Sequence, residues 1–330
     1  MDSTFNIILC NSRDKTAWNQ ALKGIDVSVY FTWEYISILE ANYPNGIQLL
    51  KIHNNSSGLI AIYSKRSKNQ ISYDIFSPYA LDGVHIWGKT DEVISEFVGY
   101  LANNKIVTYY LTSHPGFQYT EIPIFAPYRT IYTLNLTQDS SVLWRNLNVN
   151  HRYEINKFSK QNYEIITNKA QLKAPLVDLY RETFERVNAN NAYNFNSKYL
   201  NTLLDSDVTY ASGALIDAKI ECVIIILIKN NWAEYYINAS SNIGRNATRA
   251  LIWSAILELK EIGIKFLNLG GGIHENDNLD QFKKKFGGTK SSLFLFKGIA
   301  SSTEFEKLCN EFNVSTETTN YFPPYWVNNN

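Results

Sequence analysis

The fold is decided by residues 220–239, which read IECVIIILIKNNWAEYYINA. Residues 220–229 are rich in β-branched side chains and almost continuously apolar, a pattern that predicts a central strand of a sheet. Asn230 and Asn231 follow as a short turn, and residues 232–239 predict the antiparallel partner strand. The C-terminal half of the chain is therefore expected to be built around a β-hairpin.

Downstream of the hairpin, the predicted elements alternate between helix and strand. Asn246 is the predicted N-cap of a helix, and Gly263 is its predicted C-terminal stop. The predicted elements are a helix at 247–262, a strand at 265–269, a short helix capped by residues 276–278 and ending at Phe286, and a strand at 291–296. The second half of the chain is thus predicted to follow the order β-β-α-β-α-β.

The N-terminal half repeats this arrangement at a separation of about 160 residues. Its predicted elements are three strands at 48–52, 59–64 and 71–76, a helix at 91–103 and a strand at 106–111. Helices at 141–160 and 172–187 are predicted to open the second half. The repeat predicts a mixed α/β (α+β) protein with an N-terminal lobe at 1–140 and a C-terminal lobe at 141–330.

Composition narrows the classes of function. Lys and Arg number 31 and Asp and Glu also number 31, so no overall field attracts polyanions and nucleic-acid binding is not expected. The three cysteines have no C-x-x-C spacing, and the first residues show no signal for export or membrane insertion. We therefore expect a cytoplasmic protein. The five histidines form no ligand pair, and no metal site is predicted.

Several motifs together resemble the FemAB-like transferases. The main one is LNLGGG (267–272) followed by LDQFKKKFGG (279–288), which looks like the family's C-terminal signature, Phe-Lys-x-x-Phe-Gly. Others are NHRYEINK (150–157), which resembles a basic helix that opens the second lobe, and YDIFSPY (73–79), which resembles an aspartate and Ser/Thr-Pro-Tyr segment. The ending YFPPY (321–325) also fits. The resemblance lies in the order of these motifs, since each is loose by itself.

This resemblance implies two GNAT-like lobes, each a mixed and mostly antiparallel twisted sheet flanked by helices, with the acyl-donor site in the second. The family includes peptidoglycan-bridge aminoacyltransferases and CoA-dependent sugar N-acyltransferases. The neutral charge and the many aromatic residues favour acyl-CoA as the donor. The resemblance implies a nucleotide-linked amino sugar as the acceptor, such as a dTDP-3-amino-3,6-dideoxyhexose. An aminoacyl-tRNA-dependent transferase and a non-catalytic binder of nucleotide sugars are the alternatives. A monomer and a homodimer are equally compatible with the sequence.

The donor residues implied by the resemblance lie in three segments. In GNAT folds the strand before the crossover helix splays from its neighbour and receives the acyl-CoA, which points to Tyr235, Tyr236 and Asn238. The loop before the helix loosely matches the family's phosphate loop, and a plain capped helix explains it equally well. Lys283 is the lysine of the Phe-Lys-x-x-Phe-Gly pattern, and a solvated basic face is its alternative. The predicted phosphate residues are Gly244, Arg245, Asn246, Arg249 and Lys283.

The predicted acceptor and catalytic residues are spread along the chain. Asp74 is the predicted partner of the amine, and Glu234 on the hairpin is a candidate acceptor of the amine proton, together with the hydroxyl of Tyr236 as a third catalytic candidate. No G-x-S-x-G motif is present, which favours direct transfer without an acyl-enzyme. The predicted substrate-binding residues are Tyr79, His151, Arg152, Tyr153, Asn268, Gly270 and Gly271.

Overall fold

The computed structural model describes residues 4–79, 82–114, 116, 125–190, 193–317 and 321–327. Its contacts divide the chain into two compact units. The first unit is Met1–Tyr128 with Leu293–Asn330, and the second unit is Arg129–Ser292. The sequence predicted lobes at 1–140 and 141–330. The contacts instead place the C-terminal segment with the first unit, because the last strand and helix pack there.

The chain contains thirteen described strands and ten described α-helices. In chain order to residue 128 they are β1 (Asn6–Asn11), α1 (Lys15–Leu22), α2 (Trp33–Leu39), β2 (Gln48–His53), β3 (Gly58–Arg66), β4 (Tyr73–Phe76), β5 (Val84–Trp87), α3 (Thr90–Asn103), β6 (Ile106–Ser113) and the start of β7 (Phe125–Asn135). They continue with α4 (Ser140–Asn146), α5 (Val149–Phe158), β8 (Tyr163–Ile166), α6 (Lys169–Arg186), α7 (Ser197–Asp205), β9 (Thr209–Ile216), β10 (Lys219–Lys229), β11 (Trp232–Ser240), α8 (Thr248–Glu261), β12 (Phe266–Asn268), α9 (Asn278–Lys284), β13 (Thr289–Ile299) and α10 (Ser302–Glu311).

The sheet of the first unit has the strand order β1-β2-β3-β4-β6-β13, with β5 also paired to β3. Its neighbours are antiparallel except β4 and β6, which run parallel. Helix α10 packs on β6, and its Phe305, Leu308 and Cys309 form a small core with Val107 and Tyr325. This packing is the reason that residues 293–330 belong to the first unit.

The sheet of the second unit has the strand order β7-β12-β11-β10-β9-β8. All neighbours are antiparallel except β11 and β12. The predicted hairpin is confirmed: β10 and β11 pair from Lys229 opposite Trp232 to Cys222 opposite Ser240. Asn230 adopts a positive φ of 52°, a conformation that asparagine tolerates better than most residues.

The predicted repeat is present in both units. In each unit, a 14-residue helix follows an antiparallel meander and leads to a strand that pairs parallel with an earlier one. In the first unit this is β4 and β6 with α3 between them, and in the second it is β11 and β12 with α8 between them. The predicted fold class, a mixed α/β protein with two GNAT-like lobes, is confirmed.

The core of the second unit explains why β10 is apolar on both faces. Cys222, Ile224 and Ile226 belong to a core cluster that includes the buried side of α8, while helix α6 also packs on β10 and β11. The residues that alternate with them, such as Val223 and Ile225, are fully buried as well. A strand covered on both faces has no solvated position, so its sequence is a continuous apolar run.

Two predicted elements differ from the structure. The helix predicted at 141–160 is two helices, because Leu147 and Asn148 take extended conformations and the Asn148 side chain caps α5 by accepting from Asn150 N. The strand predicted at 265–269 is shorter, since β12 ends at Asn268. Among the described residues, no helix has the length and apolar character needed to cross a membrane.

Candidate donor site and the placement of the predicted residues

Strands β11 and β12 separate after a short parallel ladder. The ladder joins Trp232 to Phe266, Ala233 to Leu267 and Glu234 to Asn268, and β12 ends there while β11 continues to Ser240. On the other side of β11, the register with β10 shifts between Ile225 and Ile226, so that Tyr236 is the extra residue of a β-bulge. A bulge bends its strand and increases its local twist. Beyond Glu234, β11 thus extends past the end of β12.

A buried polar group closes the end of this ladder. Glu234 is 2% exposed, and its Oε2 accepts a hydrogen bond of 2.8 Å from Asn268 Nδ2. The Asn268 side chain in turn accepts from the N–H of Gly270 at 2.7 Å. Gly270 has a positive φ of 68°, which lets the chain turn sharply after the strand. These contacts hold the carboxylate at the point where the two strands part.

Lys283 lies against the glycine turn. Its Nζ donates to the carbonyl of Gly271 at 2.9 Å. Burial lowers the pKa of Lys283 to about 8, although Asp277 and Asp280 act in the opposite direction. A side chain on Gly271 would place its Cβ 1.7 Å from the carbonyl oxygen of Thr130, so only glycine fits there. Lys283, predicted to bind the donor, and Asn268, Gly270 and Gly271, predicted to bind the substrate, therefore lie together at the glycine turn.

Two further residues of this region escaped the sequence analysis. Tyr132 on β7 is buried and donates its hydroxyl to Asp280 Oδ2 at 3.2 Å. The same oxygen accepts from Asn276 N, and Asp280 is only 1% exposed. Burial raises the pKa of Tyr132 to about 12, so the hydroxyl stays protonated and can donate. Tyr132 and Asp280 are separated by 148 positions along the chain, so no local sequence pattern indicates that they are in contact.

The loop between β11 and α8 is organised by Ser241. The Ser241 hydroxyl accepts from Gly244 N at 3.0 Å, and its carbonyl accepts from Arg245 N at 3.1 Å. Gly244 is pressed against β10, where a Cβ would lie 1.7 Å from the carbonyl oxygen of Glu221. The N-cap predicted at Asn246 is wrong. Asn246 lies inside a 3-10 turn (Gly244–Asn246) that precedes α8, and the N-cap position of α8 is Ala247, where no side chain caps the helix.

The two predicted arginines of this segment have different surroundings. Arg245 is exposed on the 3-10 turn. Arg249 is half-buried in α8, with its guanidinium carbon 5.4 Å from the ring centre of Phe282. Its Nε is buried and has no hydrogen-bond partner among the described residues. The positive charge at the start of α8 is thus contributed by one solvated and one packed arginine.

The three predicted donor residues of β11 point to different faces. Tyr236 has its hydroxyl 2.6 Å from that of Tyr199 on α7, a residue that the sequence analysis did not single out. Tyr235 packs with the core cluster on the side of α8, and burial raises its pKa well above the usual value. The Asn238 side chain accepts from Thr248 Oγ1 at 3.4 Å, at the beginning of α8. Only Tyr236 among these side chains lies on the face of α7.

The basic segment at 150–157 lies in helix α5, and its His151 and Arg152 side chains make contacts within the protein. His151 is 1% exposed, and its Nε2 lies 3.0 Å from the carbonyl of Phe282, an acceptor, so this nitrogen carries the proton. Arg152 donates to the carbonyls of Arg145 and Leu147 at the end of α4, a favourable place for a cation. Tyr153 is 62% exposed. The structure does not bring these residues together around one open position.

His151 predicts a dependence of stability on pH. Burial lowers its pKa from the usual 6.5 to about 4, and the charge of Arg249 adds to the effect. Between these pH values the unfolded chain binds the proton and the folded chain does not, so stability falls as pH falls from 6.5 towards 4. We expect denaturant unfolding to show a smaller decline over this window in His151→Phe than in wild type. An unchanged decline would contradict this, and His274→Gln, at an exposed position, is the control.

Asp74 and Tyr79 belong to the first unit. Asp74 on β4 is 3% exposed and accepts three hydrogen bonds, from Thr108 Oγ1 at 2.6 Å, Tyr325 OH at 2.7 Å and Trp326 Nε1 at 2.7 Å. The backbone of Tyr79 is held by two tyrosines: its N–H donates to Tyr43 OH, and its carbonyl accepts from Tyr35 OH. The carboxylate predicted to meet the amine is therefore already surrounded by neutral donors of its own unit.

The described residues contain no group of three or more His, Cys, Asp or Glu side chains placed to hold a metal ion. The second unit has polar groups in two places. The Glu234–Asn268 pair lies beside the glycine turn with Lys283, and the loop that Ser241 organises lies before α8. This arrangement offers backbone edges, a cation and a helix start, which are features suited to an elongated phosphorylated ligand.

Comparison by sequence finds no relative: no model of a protein family matches the chain, and no curated protein matches it. Solved structures do match. FemX superimposes with a TM-score of 0.64 at 9% identity, over 88% of this chain and 97% of that chain. L-PGS from Bacillus licheniformis gives a TM-score of 0.58 at 12% identity, over 86% of this chain and 91% of that chain.

A third match is the C-terminal domain (DUF2156) of a lysylphosphatidylglycerol synthetase candidate from Agrobacterium fabrum. It has a TM-score of 0.57 at 11% identity, over 89% of this chain and 93% of that chain. At such low identities, structural likeness establishes a shared fold and leaves the chemistry open. The chain therefore has the fold of FemX and of these synthetase domains, in agreement with the FemAB-like resemblance of its sequence motifs.

Proposed function

We propose that this protein is an N-acyltransferase that moves an acyl group from acyl-CoA to the amine of a nucleotide-linked amino sugar. The observation that carries the proposal is the end of the β11–β12 ladder at Glu234, with a bulge at Tyr236 and the start of α8 after the loop that follows β11. Strand edges that part in this way leave backbone groups able to bind the amide-containing arm of a CoA thioester. The start of a helix favours its pyrophosphate.

The donor phosphates are assigned to the loop before α8. Gly244, Arg245, Asn246 and Ala247 donate their N–H groups within the loop, so these four are already used. The side chain of Arg245 and the first turn around Asn242 and Ile243 are the proposed contacts. Arg249, half-buried and cationic, is proposed to add to the local field rather than to form a bidentate contact. Lys283 is the proposed cation beside the glycine turn.

The reaction requires the amine nitrogen to attack the thioester carbonyl, so that a C–N bond forms and the C–S bond breaks. In our proposal Glu234 accepts the proton that the attacking nitrogen gives up, since it is held at the start of the separated edge. Tyr236 protonates the departing thiolate, and the hydroxyl of Tyr199 is placed to replace that proton. The cycle closes when Glu234 gives its proton to solvent and the tyrosine pair takes one from solvent, so atoms and charge balance without any cofactor beyond the acyl donor.

The prediction is tested by thiol release in the presence of acyl-CoA and an amino sugar nucleotide. We expect Glu234→Gln to lower kcat by about 100-fold, because a general base contributes roughly that factor or more. We expect Arg245→Ala to raise the KM for acyl-CoA about tenfold with little change in kcat, as loss of a uniform binding contact does. Arg181→Ala removes an exposed arginine of α6 that pairs with Asp178, and is the matched control.

The same assay distinguishes the alternatives. Absence of thiol release across several acyl-CoA donors would contradict the proposal. Transfer from aminoacyl-tRNA under the same conditions would replace it by the aminoacyl alternative. Binding of the nucleotide sugar without consumption of any donor would leave a non-catalytic binding protein with this fold.

A further inference from the structure

Two cations of the first unit share one indole ring. The guanidinium carbon of Arg66 lies 4.4 Å from the ring centre of Trp326, and Lys68 Nζ lies 4.7 Å from it. Arg66 also lies 5.3 Å from the ring centre of Phe76, and Lys68 lies 5.3 Å from that of Phe312. Both side chains are half-buried. Both positive charges thus lie against the same indole ring, and each also lies near a second aromatic ring.

These charges have no counter-ion within the described residues. Neither Arg66 nor Lys68 forms an ion pair there, and Arg66 Nε is buried without a hydrogen-bond partner. Asp74 lies opposite Arg66 in the β3–β4 register, but its carboxylate forms no ion pair with Arg66 among the described residues and accepts instead from Thr108, Tyr325 and Trp326. Partial burial of a cation is costly unless an anion compensates for it.

The geometry of the pair is fixed in advance. The indole is anchored by the hydrogen bond of 2.7 Å from Trp326 Nε1 to Asp74 Oδ2. Lys68 lies in a hairpin loop that Asn69 closes, since its Oδ1 accepts from the N–H groups of both Ile71 and Ser72 at 3.0 Å. A preorganised site loses little conformational entropy when a ligand binds.

We propose that Arg66, Lys68 and Trp326 form an anion site that binds a phosphate dianion, as a free ion or as the phosphate group of a small metabolite. An arginine offers planar paired donors and a lysine offers a point charge, and together they match the charge and the oxygens of phosphate. The indole holds both cations in place and is not itself available for stacking. This site is in the first unit and does not depend on the proposed transferase reaction.

The experiment follows the indole N–H resonance of Trp326, assigned through Trp326→Phe, while inorganic phosphate is added at constant ionic strength. We expect a saturable shift in wild type, and about tenfold weaker binding in both Arg66→Gln and Lys68→Gln, because each removes one charge-assisted contact. Glutamine keeps much of the aliphatic packing on the ring. Lys23→Gln, at an exposed position of the same unit, is the matched control and should bind as wild type does.

Three outcomes would overturn the proposal: a Trp326 signal that phosphate does not move, a shift that chloride reproduces at equal ionic strength, or equal affinities in all variants. Arg245→Ala, in the second unit, must leave the Trp326 titration unchanged. Titration of a phosphomonoester and of vesicles with phosphate headgroups then separates the two sources of the ligand. A shift with the soluble ester alone assigns a metabolite, and one with vesicles alone assigns a lipid.

Discussion

Replacing Gly244 by alanine is expected to lower the free energy of unfolding by about 2–4 kcal/mol, since forced overpacking in a buried site costs this order of energy. The new Cβ would lie 1.7 Å from the carbonyl oxygen of Glu221 and 2.4 Å from its carbon. Both are backbone atoms of a central strand and cannot move aside as a flexible side chain can. The loop must therefore shift away from β10, and the hydrogen bond from Gly244 N to Ser241 Oγ would be lost with it.

The same substitution should act on the donor site. Because the shifted loop would misplace Arg245 and the first turn of the helix, we expect kcat/KM for acyl-CoA to fall by at least about tenfold even at temperatures where the variant is folded. Denaturant unfolding and steady-state kinetics measure the two effects separately.

Gly99→Ala is the control for the Gly244 substitution. Gly99 lies in helix α3, and nothing lies within 4 Å of the position of its Cβ. Alanine there should stabilise the protein by about 0.5–1 kcal/mol, because glycine is a poor helix former. A Gly244→Ala protein that is as stable and as active as Gly99→Ala would contradict the role given to the loop.

Replacing Asp74 by alanine is expected to destabilise the first unit by about 3–5 kcal/mol, the range observed when one partner of a buried charged network is removed. Three donors would lose their acceptor in a buried place: Thr108, Tyr325 and Trp326. Burial raises the pKa of Tyr325 well above its usual range, so its hydroxyl stays protonated and continues to need an acceptor.

Tyr325→Phe is the graded comparison for Asp74→Ala. It removes one of the three hydrogen bonds and should cost only about 1–2 kcal/mol. Chemical denaturation of both variants, with turnover measured in parallel, decides between two roles for Asp74. An Asp74→Ala protein that unfolds as wild type does but has lost turnover would support the sequence-based prediction that Asp74 contacts the amine. Loss of stability in the expected order would instead identify Asp74 as the residue that anchors the C-terminal segment.

The architecture was accessible from the sequence because its signals are local. The hairpin at 220–239 was predictable from its continuous apolar run and its asparagine turn. Helices α3 and α8 were predictable from their periodicity and their matching positions in the two halves. Asp277 was likewise found within its capping cluster, and it accepts from Asp280 N at the start of α9. Each of these features depends on residues that are near one another along the chain.

The predicted cap at Asn246 shows the limit of such local rules. Serine and asparagine are both good N-caps, and the sequence from Ser241 to Asn246 offers both. In the structure neither side chain caps α8, whose N-cap position is Ala247, because a 3-10 turn that begins at Gly244, close to Glu221 on β10, precedes the helix. The sequence of the loop by itself carries no information about where β10 lies.

The sequence by itself determined the class of fold, the duplicated meander, helix and strand, and the set of residue types from which a transferase site is proposed. Only the tertiary structure decided which of those residues meet. It joined Glu234 to Asn268 and Tyr132 to Asp280, enclosed His151 in the core, and set Asp74 against Tyr325, 251 residues away along the chain. The physical reason is that backbone periodicity records which face of an element is buried, whereas the charge state and partners of a buried group depend on atoms contributed by distant segments.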